Sequence, residues 1–97
     1  GVSCFAEYAV IDRGTAVKVD KDLPLADAAI FGCAVMTGVG AVLNTARIRA
    51  GDTVACVGLG GVGLNGLLGA KLAGAEKIIA VDINDDKLGL ALLNRHK

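Results

Sequence analysis

The run Thr53-Val54-Ala55-Cys56-Val57, followed at once by Gly58-Leu59-Gly60-Gly61-Val62-Gly63, constrains this chain more than any other segment. An uncharged stretch rich in β-branched residues suits a strand buried on both faces of a parallel sheet. The glycines then stand in the order G-x-G-x-x-G, and each has its own reason to be there. Gly58 permits the tight turn out of the strand. Gly60 lets a phosphate approach the backbone with no Cβ in the way, and Gly63 lets the next helix pack closely on the strand. Gly61 lies within the same loop.

Helical spacing follows at Leu64, Leu67, Leu68 and Leu72, with Gly74 placed as a left-handed C-cap. Lys77 to Val81 reads as a second buried strand ending at Asp82. Asn84 can cap a further helix, with Asp85 and Asp86 in its first turn and Leu88 and Leu92 on its apolar face. Two strands joined by one helix pair in parallel through a right-handed crossover. The fold class is therefore α/β, a partial Rossmann (βαβα) dinucleotide-binding half.

The loop and the acid after it carry one chemistry. A helix N-terminus offers free N–H groups and partial positive charge to a pyrophosphate. Asp82, 24 residues after Gly58, can accept hydrogen bonds from both hydroxyls of an adenosine ribose and would repel a 2′-phosphate. The expected cofactor is NAD rather than NADP. A methyltransferase using S-adenosylmethionine also places a glycine loop after its first strand and an acid after its second. Its usual glycine at every second position would fall on Val62, whereas Gly63 fits the dinucleotide pattern. A tight βα turn without a ligand, or a non-catalytic nucleotide-binding module, would carry the same residues.

Upstream, Phe5–Ile11 alternates moderately, Asp12-Arg13-Gly14 signals a turn, and Ala16–Val19 is a further β candidate. A hairpin or meander is expected there. Leu23-Pro24 opens a helical stretch, with Asp22 a possible N-cap and Pro24 in its first turn. Residues 25–46 read as two short helices meeting near Gly32-Cys33, and Ala50-Gly51-Asp52 as a turn.

Charge and composition narrow the partners. Ten basic and ten acidic residues give no net charge, which argues against nucleic acid as the main partner. The 14 glycines are about twice the usual share, without the Pro or Ser of a linker. Residues 28–46 and 53–70 are uncharged and each near membrane-spanning length. Their Gly, Asn and Thr content, with no flanking basic cluster or aromatic belt, argues against a membrane hairpin. Three cysteines, Cys4, Cys33 and Cys56, occur without a CxxC spacing. Reduced thiols and a cytoplasmic location follow, and no signal peptide is read at the N-terminus. By residue type alone, each cysteine is a small buried hydrophobe and His96 a solvated terminal side chain. Cys4, Cys33, Cys56 and His96 have no zinc-ligand spacing among themselves. No Ser/His/Asp set or carboxylate pair is present, so no catalytic residue is assigned.

Gly32-Cys33-Ala34-Val35-Met36-Thr37-Gly38-Val39-Gly40-Ala41-Val42, Asn44-Thr45-Ala46, the glycine loop, and Val81-Asp82-Ile83-Asn84 with Asp86-Lys87 closely resemble the zinc-dependent alcohol dehydrogenases of the medium-chain dehydrogenase/reductase superfamily. The resemblance spans nearly the whole chain and implies a fragment of such an enzyme. Ser3-Cys4-Phe5-Ala6-Glu7-Tyr8 looks like late strands of that family's GroES-like catalytic domain. Residues 1–30 would then be the end of that domain and residues 31–97 the first half of the NAD-binding Rossmann domain.

The resemblance also implies roles. Cys33 would be the third protein ligand to a catalytic zinc. Thr37 and Val62 would line the nicotinamide, and Asp82 and Lys87 would hold the adenosine ribose. Cys33, in place of a Glu-Pro pair, favours the alcohol and formaldehyde dehydrogenase branch. The implied reaction is hydride transfer from a zinc-bound alkoxide to NAD, with an alcohol or aldehyde as substrate and a dimeric or tetrameric parent enzyme. The other zinc ligands, the proton relay and the structural zinc loop of the family have no counterpart in these residues. Nor does the rest of its six-stranded sheet. The 97 residues alone are therefore expected to be inactive and to fold poorly or self-associate. Gly66, Gly69 and Gly89 fall inside predicted helices, where each costs about 1 kcal/mol against Ala, and they have no role in this reading.

Overall fold

A computed structural model describes residues 4–93. Its centre is a two-stranded parallel sheet, β1 (Thr53–Val57) and β2 (Lys77–Val81), in the register Thr53↔Lys77 through Val57↔Val81. The helix α3 (Gly61–Leu72) crosses between them, and α4 (Asp85–Leu93) follows β2. Both strands fall on the residues expected of them, and α3 starts inside the glycine loop.

The ends of these elements explain why they stop. Gly74 has φ +82°, and its N–H donates to the Lys71 carbonyl at 3.1 Å while the Ala75 N–H donates to Ala70 at 3.0 Å. That pair of bonds is a complete Schellman motif, which needs a left-handed residue at this position. Asn84 caps α4 as predicted, its Oδ1 accepting the Asp86 N–H at 2.9 Å. At the opposite end of the sheet, the Asp52 carbonyl accepts the Glu76 N–H at 2.9 Å and the Gly51 N–H donates to the Gly74 carbonyl at 3.0 Å. The predicted turn at Ala50-Gly51-Asp52 thereby seats the start of β1 beside the start of β2.

The strands are not buried on both faces, contrary to expectation. Val54 and Cys56 are half-buried towards α3, whereas Thr53, Ala55 and Val57 are exposed. Parallel register puts Ile79 and Val81 on the same bare face as Ala55 and Val57. The reason is layering: α3 and α4 both pack on one face, and among the described residues no element packs on the other.

Before the sheet, the helical path begins with α1 (Leu25–Ala28) and passes through Ala29-Ile30. It continues through a wide i→i+5 stretch at Phe31–Val35, then α2 (Met36–Gly40), then a second wide stretch at Ala41–Thr45. The change of helix type falls at Ala29-Ile30, close to Gly32-Cys33, and Ala29 and Ile30 both keep right-handed helical dihedrals. Pro24 is the N-cap of α1, with no side-chain cap bond. Asp22 is not the cap, because α1 starts one residue after Pro24 and Asp22 lies two residues before that N-cap; its own N–H donates to the Asp20 carboxylate at 2.9 Å. Leu25–Thr45 is long and apolar enough to cross a membrane by length and composition. In this structure its Gly38 and Val42 are packed on α3. The second uncharged run is strand, loop and helix, so a two-helix hairpin does not form.

The expected N-terminal hairpin is absent among the described residues. A 3-10 turn at Arg13–Thr15 confirms the turn signal, with the Asp12 carboxylate accepting the Gly14 N–H at 2.7 Å. The flanking segments find no ladder partner, and Phe5, Tyr8, Val10 and Val17 stand in solvent. Alternation specifies a strand only where another strand is available to pair with it.

The α2–α3 crossing accounts for Gly69, which the sequence left without a role, and constrains Gly38, whereas an added Cβ on Gly66 would make only ordinary contacts. A Cβ on Gly38 would fall on the Val62 carbonyl oxygen and 2.7 Å from Asn65 Cβ. One on Gly69 would stand 3.2 Å from Val39 Cα, and one on Gly66 3.7 Å from Cys56 Sγ. Val42 and Ala70 are buried in the same crossing. Gly89 meets nothing within 4 Å, and the structure gives it no role.

Candidate functional site

Backbone geometry makes the loop before it makes the site. Gly58 has φ +91°, a conformation in which a side chain would clash with its own backbone. Its N–H donates to the Val81 carbonyl at 2.8 Å, extending the sheet by one bond. Leu59 then turns inward and is 1% exposed, the largest fully buried side chain among the described residues. Gly60 is the N-cap of α3, and its carbonyl accepts the Leu64 N–H at 2.9 Å. A Cβ on Gly63 would fall on the Gly58 carbonyl oxygen and 2.8 Å from its carbon. The helix thus presses against the strand end as predicted for Gly63, while Gly60 has nothing within 4 Å.

No side chain caps α3. Its first-turn N–H groups, on Gly61, Val62 and Gly63, have no intrahelical acceptor by helix geometry. The open side of Gly60 and this uncapped terminus form one cradle for an anion.

Asp82 reaches the same glycine loop from the end of β2. Its Oδ2 accepts the Leu59 N–H at 2.6 Å and its Oδ1 the Asn84 N–H at 2.8 Å. The Leu59 bond first and the Asn84 bond second hold the carboxyl below the usual aspartate range against the opposing effect of desolvation, with smaller contributions from the Lys87 ammonium and the Ile83 N–H. A carboxylate offers about four acceptor directions. With two used by the backbone, capacity remains for two further donors.

The depressed value predicts a pH dependence. The native state holds fewer protons than the unfolded chain between the lowered value and the ordinary aspartate pKa of about 3.9. The stabilising term is therefore complete above that ordinary value and disappears as pH falls through the lowered one. Thermal midpoints of the wild type and of Asp82→Asn, followed from pH 7 to pH 2.5, should converge at the acid end. A constant gap across that range would contradict the assignment.

The remaining predicted residues fall around the same loop. Ala34, next to Cys33, lies 3.5 Å from where a Gly61 Cβ would be. Gly38, next to Thr37, touches the Val62 carbonyl. Lys87 is in α4, on the Asp82 side. Cys33 is an exposed thiol, and no cluster of three His, Cys, Asp or Glu suited to a metal exists among the described residues. These residues do not by themselves form a zinc site. Cys4 is also exposed, and Cys56 is half-buried beside Gly66, where burial pushes its thiol pKa up. His96 lies outside the described residues. Sequence reading missed two participants: the Leu59 N–H, which nothing in an apolar residue advertises, and Gly38, whose contact with Val62 depends on how two helices cross.

No family model matches the chain. Among solved structures, it is similar to an alcohol dehydrogenase zinc-binding domain protein from Burkholderia ambifaria. Identity there is 43% and the TM-score 0.87, over 95% of this chain and 25% of that one. It is also similar to benzyl alcohol dehydrogenase from Acinetobacter calcoaceticus, at 43% identity and a TM-score of 0.75, over 79% of this chain and 21% of that one. The chain therefore spans about a quarter of the length of these relatives.

Proposed function

We propose that this chain, a segment of the zinc-dependent alcohol dehydrogenase family by its sequence and its fold, supplies the adenosine- and pyrophosphate-binding half of an NAD-dependent alcohol dehydrogenase. The observation that carries the reading is the convergence of Asp82 and the uncapped α3 N-terminus on one open glycine loop. The N–H groups of Gly61, Val62 and Gly63 would receive the pyrophosphate beside Gly60. The unused acceptor directions of Asp82 would take the two hydroxyls of the adenosine ribose, with Lys87 beside them. Gly58 shapes the turn, and Thr37 and Val62 would border the nicotinamide. NAD, when bound, supplies the hydride acceptor.

Residues 1–30 are read as the end of the catalytic domain and residues 31–97 as the first half of the Rossmann domain. Cys33 is read as one zinc ligand, the others being supplied by residues beyond this segment. An alcohol or aldehyde substrate, a cytoplasmic location and a dimeric or tetrameric parent enzyme go with the same reading.

Calorimetry tests it. NAD should bind the purified chain, NADP at least about tenfold more weakly because its phosphate meets the Asp82 carboxylate, and S-adenosylmethionine not at all. Binding of S-adenosylmethionine without NAD would replace the reading with a methyltransferase one. Equal affinity for NAD and NADP would remove Asp82 from the ribose site.

A further inference from the structure

Leu59 is 1% exposed, so water has almost no access to its backbone N–H. A buried N–H without an acceptor is costly, and native structures almost always provide one. Here the acceptor is Oδ2 of Asp82, at 2.6 Å and 23 residues away in sequence. The other oxygen of the same carboxylate is tied to Asn84 at 2.8 Å. Leu59 stands between Gly58, which is left-handed, and Gly60, which has open space beside it. Glycines on either side leave the loop little conformational preference of its own. The Gly58 N–H bond to the Val81 carbonyl and the buried Leu59 side chain fix the base of the loop, and the Asp82 carboxylate is the one side-chain acceptor that holds the peptide between the two glycines.

We propose that Asp82 is a positioning residue for the glycine loop, whose carboxylate holds the Leu59 N–H and keeps the phosphate cradle formed before any nucleotide arrives. This role is separate from its contact with the ribose, although it rests on the nucleotide-binding reading above. Without the latch, the loop samples other conformations, and affinity falls by the fraction of time the cradle is formed. The loss applies to any ligand that uses the cradle, including one that makes no bond to Asp82.

Two measurements separate the roles. The first is hydrogen exchange of the Leu59 amide in the ligand-free chain, in the wild type, Asp82→Ala and Asp82→Asn. The amide should exchange at least about tenfold faster in Asp82→Ala, while the Ala70 amide in α3 keeps its rate. The second is calorimetry with NAD and with an NAD analogue lacking both hydroxyls of the adenosine ribose. Asp82→Ala should weaken the analogue about tenfold, which corresponds to a cradle formed a tenth of the time, and should weaken NAD further. Unchanged Leu59 exchange, or unchanged affinity for the analogue, would overturn the proposal and leave Asp82 a ribose ligand only. If the wild type binds neither ligand, the nucleotide reading fails and exchange alone decides the latch. If Ala70 exchange rises equally in Asp82→Ala, the variant has lost its fold. Asp82→Asn, which keeps one acceptor oxygen, then carries both readouts with the same criteria.

Discussion

Gly63→Ala should lower stability by about 3 kcal/mol, the upper part of the range for overpacking a close contact. In a domain of this size that is a fall of roughly 12–24 °C in thermal midpoint. The added Cβ would land on the Gly58 carbonyl oxygen, a backbone atom at the end of β1 with no rotamer through which to yield. The strand end or the start of α3 must move, and with it the cradle. Gly60→Ala is the contrasting variant. Gly60 has φ −72° and ψ −169°, which alanine adopts freely, and nothing lies within 4 Å of its Cβ position. Its stability should stay within about 1 kcal/mol of wild type, the usual difference between Gly and Ala at an N-cap. Its NAD affinity should still fall at least about tenfold, because the methyl occupies the space assigned to a phosphate. Equal thermal midpoints for Gly63→Ala and wild type would contradict the packing. Full NAD affinity in Gly60→Ala would contradict the cradle.

The second large effect concerns the isolated chain. It should self-associate at micromolar concentration and show no alcohol oxidation with NAD and zinc. A compact monomer of 9.7 kDa exposes about 5,100 Å², whereas this chain exposes 7927 Å². The excess, about 2,800 Å², is larger than the roughly 800 Å² that each partner buries in a standard protein–protein interface. Much of it is apolar. Val57, Ile79 and Val81 line the bare sheet face, and Phe5, Tyr8 and Val17 stand exposed upstream. Both strands also keep one unpaired edge among the described residues, and open edges recruit partners. Sedimentation velocity across a concentration series should show species heavier than one chain. A single species of one chain's mass across the whole series would refute this. Zinc- and NAD-dependent oxidation of ethanol by the 97 residues would refute the second part.

Legibility differed along the chain for physical reasons. β1, α3, β2 and α4 were readable because strand, glycine loop, helix, left-handed Gly74 and Asn84 cap each impose a local requirement on residue type. Asp82 was readable because a strand end leaves few positions for it. The hairpin expected around Asp12-Arg13-Gly14 failed because pairing is not local, and the residues beside that turn have no strand to meet. Burial on both faces failed for a related reason: the run 53–57 is apolar enough for two layers, yet only one layer stands against it. The helix crossing at Gly38, Gly66 and Gly69 was opaque because glycines within a helix look the same whether they meet a backbone or solvent. The roles read for Thr37, Val62, Lys87 and Cys33 came from family resemblance, because no local rule of strand, turn or helix requires those residue types there.

Leu59 has a consequence for how this loop can vary over time. The largest fully buried side chain among the described residues belongs to the glycine loop itself, since Leu59 is buried while its neighbours Gly58 and Gly60 shape the turn. A substitution at Leu59 is a substitution in the core, and one at Gly58 or Gly63 meets a left-handed or crowded backbone. Selection acting on these three positions would therefore meet a stability threshold before a specificity optimum, whereas Gly60 has open space and does not carry that constraint. Variants with new preferences at Gly58, Leu59 or Gly63 should emerge first in backgrounds that already carry stabilising changes elsewhere.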